Sequence, residues 1–252
     1  MSEALKYTYG KVVWRELMTP DPAASKKFYG EIFGWDYDDV DMGPMIYTLI
    51  KGGERGRGGI MKMDAGEHPP HWMSYVSVPD VDAAAKAAED AGGTIGVPPT
   101  DIPQVGRFSV IGDPGGAWIT AFKNSSGDVE SSERPGLGEF CWETLSASEP
   151  DAVKEFYSKV FGWNLITGPD GSDNVFAAEA EAVADLQKAD DTPNGWWLTY
   201  VVVADLGAAN AKVEALGGKI VVPRIDVPTI GAFSVIVDPH GAHLGLFEAP
   251  QG

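Results

Sequence analysis

Apolar and polar positions along this chain alternate with two different periods, and the switch between them occurs four times. "KVVWREL" at residues 11–17 alternates in side-chain character, as a half-buried strand does. The period then lengthens. Ala24, Phe28 and Ile32 recur every fourth residue and predict one buried helical stripe. Asp21 is placed to cap that helix, Pro22 sits in its first turn, and Gly34 closes it. Short strands are expected around residues 35–40, 45–51 and 58–63. "MSYVSV" then restarts the pattern as a strand. Asp80 caps a second helix through Ala91, Gly92-Gly93 end it, and two or three strands follow around the turn "DPGG".

The second half of the chain repeats this order. "FYGEIFGW" at residues 28–35 returns as "FYSKVFGW" at 156–163, an offset of 128. Farther on the offset is 125, where "WMSYVSVPDV" meets "WLTYVVVADL" and "DIPQVGRFSVIGDP" meets "DVPTIGAFSVIVDP". Leu206, Ala209, Val213 and Leu216 form the second copy's helical stripe ahead of Gly217-Gly218. Two homologous domains are therefore expected, at residues 8–124 and 138–249. The polar, Ser/Gly-rich stretch at 125–137 joins them as a linker. Each domain is α+β and contains two successive β-α-β-β-β modules.

Composition narrows the function classes. The 252 residues are 44% hydrophobic and carry a formal charge of −18. Such a surface repels phosphate backbones and anionic headgroups, which argues against nucleic-acid or membrane partners. No apolar run is long enough to span a bilayer, and the N-terminal residues lack the features of a signal peptide. With Cys141 as its lone cysteine the chain cannot form an internal disulfide, so cytoplasm is the default location. The glycine-rich "GGERGRGG" at 52–59 lacks the Lys-Ser/Thr ending of a phosphate loop and reads as a hairpin tip.

"TPDPAASKKFYGEIFGW", "YVSVPDVDAAAKAAEDAGG" and "FSVIGDPGGAWITAF" together resemble a vicinal-oxygen-chelate domain, of the glyoxalase/bleomycin-resistance/extradiol-dioxygenase superfamily. The tandem arrangement is similar to the two-domain glyoxalase-like proteins labelled "hydroxylase". The resemblance implies paired modules curling into an incomplete barrel around a pocket. It also implies a divalent metal, held by His or Gln on a module's first strand and Glu on its last. Counted along this sequence, those positions fall on Trp14, Met73 and Thr120 in the first half, and on Trp142, Leu198 and Gly245 in the second. None is a His, Asp, Glu or Cys, and a divalent ion needs several convergent N, O or S donors. No metal and no other cofactor is expected. His68 and His71, and His240 and His243, are spaced i, i+3, yet neither pair falls in a helical segment or beside a completing Glu.

Side chains at i, i+2 and i+4 of a strand share a face. The inherited positions therefore bring neighbours with them. In the first half these give Trp14, Glu16, Met73, Tyr75, Trp118, Thr120 and Phe122; in the second, Trp142, Thr144, Leu198, Tyr200, His243 and Phe247. Aromatic surface with a few hydroxyls suits a small hydrophobic or aromatic molecule. The same residues also suit plain barrel core. Glu16 is the one carboxylate in the first set and a candidate general base, with Tyr75 as acid or hydrogen-bond donor. The blander account pairs Glu16 with a backbone N–H or with Arg107. Thr144 takes Glu16's place in the second half, leaving no base there.

The leading reading is a metal-independent, bleomycin-resistance-like binder of a hydrophobic or aromatic ligand. A metal-free lyase, isomerase or hydrolase using Glu16 and Tyr75 comes next, then a protein-interaction module, and last a metal-dependent glyoxalase or dioxygenase. Fusion of two modules pairs in one chain suits a monomer, and a homodimer stays open.

Overall fold

A computed structural model describes residues 5–43, 45–52, 55–64, 66, 68–128, 135–169, 171–189 and 194–250. Four modules follow one another. The first runs β1 (Val12–Thr19), α1 (Pro22–Phe33), β2 (Asp36–Asp41), β3 (Ile46–Gly52) and β4 (Arg55–Lys62). The second is β5 (His71–Ser77), α2 (Val81–Asp90), β6 (Thr94–Ile102), β7 (Gly106–Gly112) and β8 (Trp118–Asn124). The third is β9 (Phe140–Ala147), α3 (Pro150–Phe161), β10 (Asn164–Thr167), β11 (Asp173–Ala178) and β12 (Glu181–Lys188). The fourth is β13 (Trp196–Val203), α4 (Leu206–Ala215), β14 (Lys219–Val227), β15 (Gly231–Val237) and β16 (His243–Glu248).

Each half of the sequence supplies one eight-stranded mixed sheet, ordered β2-β3-β4-β1-β5-β8-β7-β6 and β10-β11-β12-β9-β13-β16-β15-β14. Neither closes into a barrel. Within each module the first strand lies parallel to the last, with Glu16 opposite Gly59, Tyr75 opposite Thr120, Thr144 opposite Asp185 and Tyr200 opposite Gly245. A parallel pair needs a long crossover, which the helix and two antiparallel strands supply. The glycine-rich tract is a hairpin, with Gly52 opposite Arg55; Gly53 and Glu54 lie outside the described residues. So do residues 129–134 of the expected linker.

Helix ends follow the sequence rules. The Asp21, Asp80 and Asp205 carboxylates accept from the backbone N–H of Ala24, Ala83 and Ala208. Gly34 and Gly162 close α1 and α3 in the left-handed region, at φ 68° and 70°. The buried stripe of α1 differs from expectation. It is Ser25, Phe28 and Tyr29, while Ala24 and Ile32 are only partly covered. Two polar side chains shift it: the Ser25 hydroxyl is bonded to Thr19 at 3.0 Å, and Tyr29 finds buried partners of its own. No described helix is long and apolar enough to cross a membrane.

Packing divides the chain differently from the strand ladders. One compact unit holds residues 1–13, 73–130 and 143–197; the other holds 14–72, 131–142 and 198–252. Each has its own core, and each uses the duplicated "FY…FGW" phrase to join segments distant in sequence. In the second unit the Tyr29 hydroxyl donates to Asp238 (3.0 Å) and accepts from Trp72 Nε1 (3.2 Å), while Trp35 Nε1 reaches the Gly138 carbonyl (2.7 Å). The first unit repeats this with Tyr157 to Asp113 (2.8 Å), Trp197 Nε1 to Tyr157 (3.0 Å) and Trp163 Nε1 to Gly10 (2.7 Å). Burial, then the adjacent carboxylate, push both tyrosines far above the ordinary phenol range, so both hydroxyls keep their protons and donate. The glycine pairs complete the joint. A Cβ on Gly93 would lie 2.5 Å from the Phe156 ring, and one on Gly218 would lie 3.0 Å from the Phe28 ring.

Candidate functional site

In the first half, Glu16 sits mid-strand in β1 with 7% exposure. Its Oε1 accepts from the Tyr47 hydroxyl of β3 at 2.7 Å, and Trp14 Nε1 donates to that same hydroxyl at 3.0 Å. Gly59, between these strands, makes this possible. A Cβ there would lie 1.9 Å from the Tyr47 oxygen. Burial, then the Glu16 charge, raise the Tyr47 phenol well above its usual range, so it stays a donor. The cluster is a carboxylate oriented by a phenol under an indole. Tyr47 escaped the sequence reading because it lies on a middle strand, whereas the inherited positions lie on first and last strands. Arg107 is not Glu16's counterion. Its guanidinium engages Asp82 (2.7 and 2.9 Å) and Asp101 (2.9 Å).

Tyr75, the other residue read as catalytic, belongs to the other compact unit. There it faces Thr120 across the β5–β8 ladder and meets Phe122 edge-on at 5.7 Å. Met73 is partly buried, Thr120 fully buried, and Trp118 exposed at the start of β8.

The second half is built differently. Thr144 Oγ1 donates to Asp185 Oδ1 of β12 at 2.5 Å, and Gln187 Nε2 donates to Asp185 Oδ2 at 3.0 Å. A carboxylate is thus present, moved across the ladder from the Glu16 position to the strand beside it. Thr144 itself supplies no base, as read from the sequence, and the sequence reading did not reach Asp185. Asp185 becomes Thr144's neighbour only through strand register, which the three-residue offset change between the copies obscures. Leu198 and Tyr200 are buried, Trp142 and Phe247 partly buried, and His243 exposed. Tyr200 lies directly on Gly245: a Cβ at residue 245 would fall 2.1 Å from Tyr200 Cδ1. Phe233 also meets that ring, edge-on at 5.8 Å.

These residues do not fit a divalent metal. The side chains at the inherited positions are two indoles, a thioether, an isobutyl group, one hydroxyl and a glycine. At Gly245 the Tyr200 ring fills the space from which a ligating side chain would project. Among the described residues, no group of three or more His, Cys, Asp or Glu converges on a point. The histidines stand apart from the cluster. His71 opens β5 rather than lying in a turn, with Nδ1 2.8 Å from the Pro69 carbonyl, and burial lowers its pKa. His240 rests against the Asp238 turn through its backbone N–H. Two surface cavities of about 410 and 420 Å³ lie elsewhere, around Arg224 and Thr229 and around Thr94 and Asn194. No residue read as a site lines either one.

Known proteins share this architecture. The solved Mn(II)-bound glyoxalase of Novosphingobium aromaticivorans superposes with a TM-score of 0.65 at 14% identity, covering 95% of this chain and 82% of its own. The 2,3-dioxygenase LapB of Pseudomonas sp. KL28 gives 0.65 at 13%, covering 98% and 94%. Nearer in sequence is the "Putative glyoxylase CFP32" of Mycobacterium tuberculosis, 31% identical over the full length of both chains. The "Anthracycline biosynthesis protein DnrV" of Streptomyces peucetius is 29% identical across 98% of this chain and 96% of its own. The sequence model of one family matches residues 11–120 and again 142–246. With both halves matched and the double set of β-α-β-β-β modules in place, the chain belongs to the Glyoxalase/Bleomycin resistance protein/Dioxygenase superfamily.

Proposed function

We propose that this chain is a metal-independent, small-molecule-binding member of the superfamily that takes a hydrophobic or aromatic ligand on its aromatic-lined strand faces. The observation that carries this reading is the Tyr200 ring lying on Gly245, where the superfamily's resemblance places a last-strand ligand. A ring in that place exchanges a coordinating group for apolar, stackable surface. Trp14, Trp118, Phe122 and Phe247 extend the same chemistry over the two halves. The Streptomyces relative's name adds support, because anthracyclines are aromatic polycycles. The test is metal analysis and native mass spectrometry of protein dialysed against a chelator, with melting followed as aromatic compounds are added. The expected result is no stoichiometric metal and a ligand-induced rise in melting temperature that the chelator does not abolish. Stoichiometric manganese, zinc or iron surviving the dialysis overturns the proposal.

One contact favours a second reading, a metal-free lyase, isomerase or hydrolase. The 2.7 Å bond from Tyr47 fixes one Glu16 oxygen and leaves the carboxylate oriented, as a general base must be. Tyr47 then takes the hydrogen-bond-donor part that the sequence reading gave to Tyr75. On this reading Glu16→Gln lowers kcat by about 100-fold or more, the range of a lost general base, with the melting temperature held within a few degrees. Unchanged turnover in Glu16→Gln removes this reading.

A further inference from the structure

We infer that the β5–β8 face of the first half holds its ligand by stacking on Trp118 and hydrogen-bonding to Thr120, and that the ligand is a flat aromatic ring bearing a phenol or carbonyl oxygen. This rests on the proposal that the chain binds an aromatic small molecule, and it fixes where and by which atoms.

Trp118 is 41% exposed, although tryptophan is a highly buried residue type on average. Its ring rests on two glycines. A Cβ on Gly96 would lie 2.7 Å from indole Cζ3, and one on Gly112 would lie 3.0 Å from Cζ3 and Cη2. Neither glycine has a positive φ, so the backbone does not call for glycine at either place. The ring does. Two missing side chains let the indole lie down on the strands, with the rest of its surface left to solvent. A platform of this kind suits offset stacking with a planar ring.

Thr120 follows two residues later on the same face of β8. It is fully buried, and its Oγ1 has no protein hydrogen-bond partner. Ser77 Oγ, on the paired strand opposite Phe122, is in the same condition. A buried hydroxyl left unpaired costs about 1–3 kcal/mol, so two on one face need an explanation. A ligand oxygen supplies it. A hydroxyl both donates and accepts, which matches a phenol or carbonyl rather than a cation. The side chains around Thr120 are the Tyr75 and Phe122 rings, 8% and 7% exposed, with Val110 opposite it on β7. That apolar wall favours an aromatic ring over a polyol, and the oxygen reaches Thr120 only when those two rings swing aside.

The experiment is equilibrium dialysis of 1-naphthol and of naphthalene against the chelator-treated full chain, with Trp118→Ala, Gly96→Ala and Thr120→Val variants checked by circular dichroism and melting. Trp118→Ala is expected to weaken both probes about tenfold or more. Gly96→Ala, which lifts the indole, reproduces that loss with the tryptophan present. Thr120→Val keeps the shape, weakens 1-naphthol about fivefold, as loss of one neutral hydrogen bond does, and leaves naphthalene unchanged. Parental binding that all three variants retain overturns this inference and leaves the aromatic-ligand proposal standing. Equal losses of both probes in Thr120→Val overturn the hydroxyl's part. Binding of methyl glucoside at Trp118 in place of either naphthalene overturns the ligand class. No binding of either probe by the parent chain overturns inference and proposal together.

Discussion

Asp238→Ala is expected to lower the unfolding free energy by about 4 kcal/mol, the combined loss of a buried hydroxyl's acceptor and of a turn's anchor. The Asp238 carboxylate is 4% exposed and serves four donors. Oδ2 accepts from the Tyr29 hydroxyl at 3.0 Å, and Oδ1 accepts from the backbone N–H of His240, Gly241 and Ala242 at 2.8–2.9 Å. Alanine removes all four of these bonds, and of the donors only the Gly241 N–H keeps a second acceptor, the Asp238 backbone carbonyl at 3.1 Å. The turn N–H groups regain some water, but Tyr29 is fully buried, its ring packed among Phe28, Phe33, Trp35 and Trp72, and its hydroxyl does not. For a chain of this length the loss corresponds to a fall of about 10 °C in melting temperature. Asp238→Asn, which keeps an acceptor, is expected to lose less than half as much. Urea titration followed by tryptophan fluorescence measures both. Equal stability of Asp238→Ala and the parent would remove this joint from the list of what holds the fold.

The tyrosine–aspartate joints also mark where sequence reading stops. Four modules, their helix caps and the duplication were legible because each depends on local periods, on Asp and Pro at helix starts and on Gly at helix ends. The reach of Tyr29 to Asp238 spans 209 positions, and nothing in the local pattern around either residue announces the other. A duplicated "FY" in a helix reads as generic core. That its tyrosine bonds the closing turn from the opposite half follows only from the packing of the compact units, which do not track the sequence halves.

The candidate site was legible to the same depth. Positions on first and last strands could be counted from Asp landmarks, and Glu16, Trp14 and Thr120 stand on β1 and β8 as that count requires. Partners contributed by middle strands could not be counted. Tyr47 reaches Glu16 only because Gly59 is empty, and Asp185 reaches Thr144 only through the register of β12 on β9. Both depend on which residue faces which across a ladder, and a one-residue slip would turn each side chain to the opposite face. Residue types alone could not fix that.

Adding a side chain at residue 245 is expected to destabilise the second half by overpacking, and removing Tyr200's ring is expected to relieve that clash. Gly245→Ala places a methyl 2.1 Å from Tyr200 Cδ1, 2.5 Å from Cε1 and 2.6 Å from Cγ. These atoms run along the near edge of the ring to its root, so a small swing of the hydroxyl end gives no relief. Phe233, edge-on at 5.8 Å, limits retreat in its direction, and Tyr200 itself is 7% exposed. Overpacking of this sort costs about 3 kcal/mol. Tyr200→Ala alone leaves a cavity and costs about 3–5 kcal/mol, the range of a large aromatic truncation. In the Gly245→Ala/Tyr200→Ala double variant the added methyl occupies space that the ring has vacated. The summed single losses should then exceed the measured double loss by about 2–3 kcal/mol, the coupling expected of residues in direct contact. Strict additivity in that cycle, read from urea midpoints of the four proteins, would mean the ring does not occupy the last-strand position. It would also take away the observation on which the metal-independent reading rests.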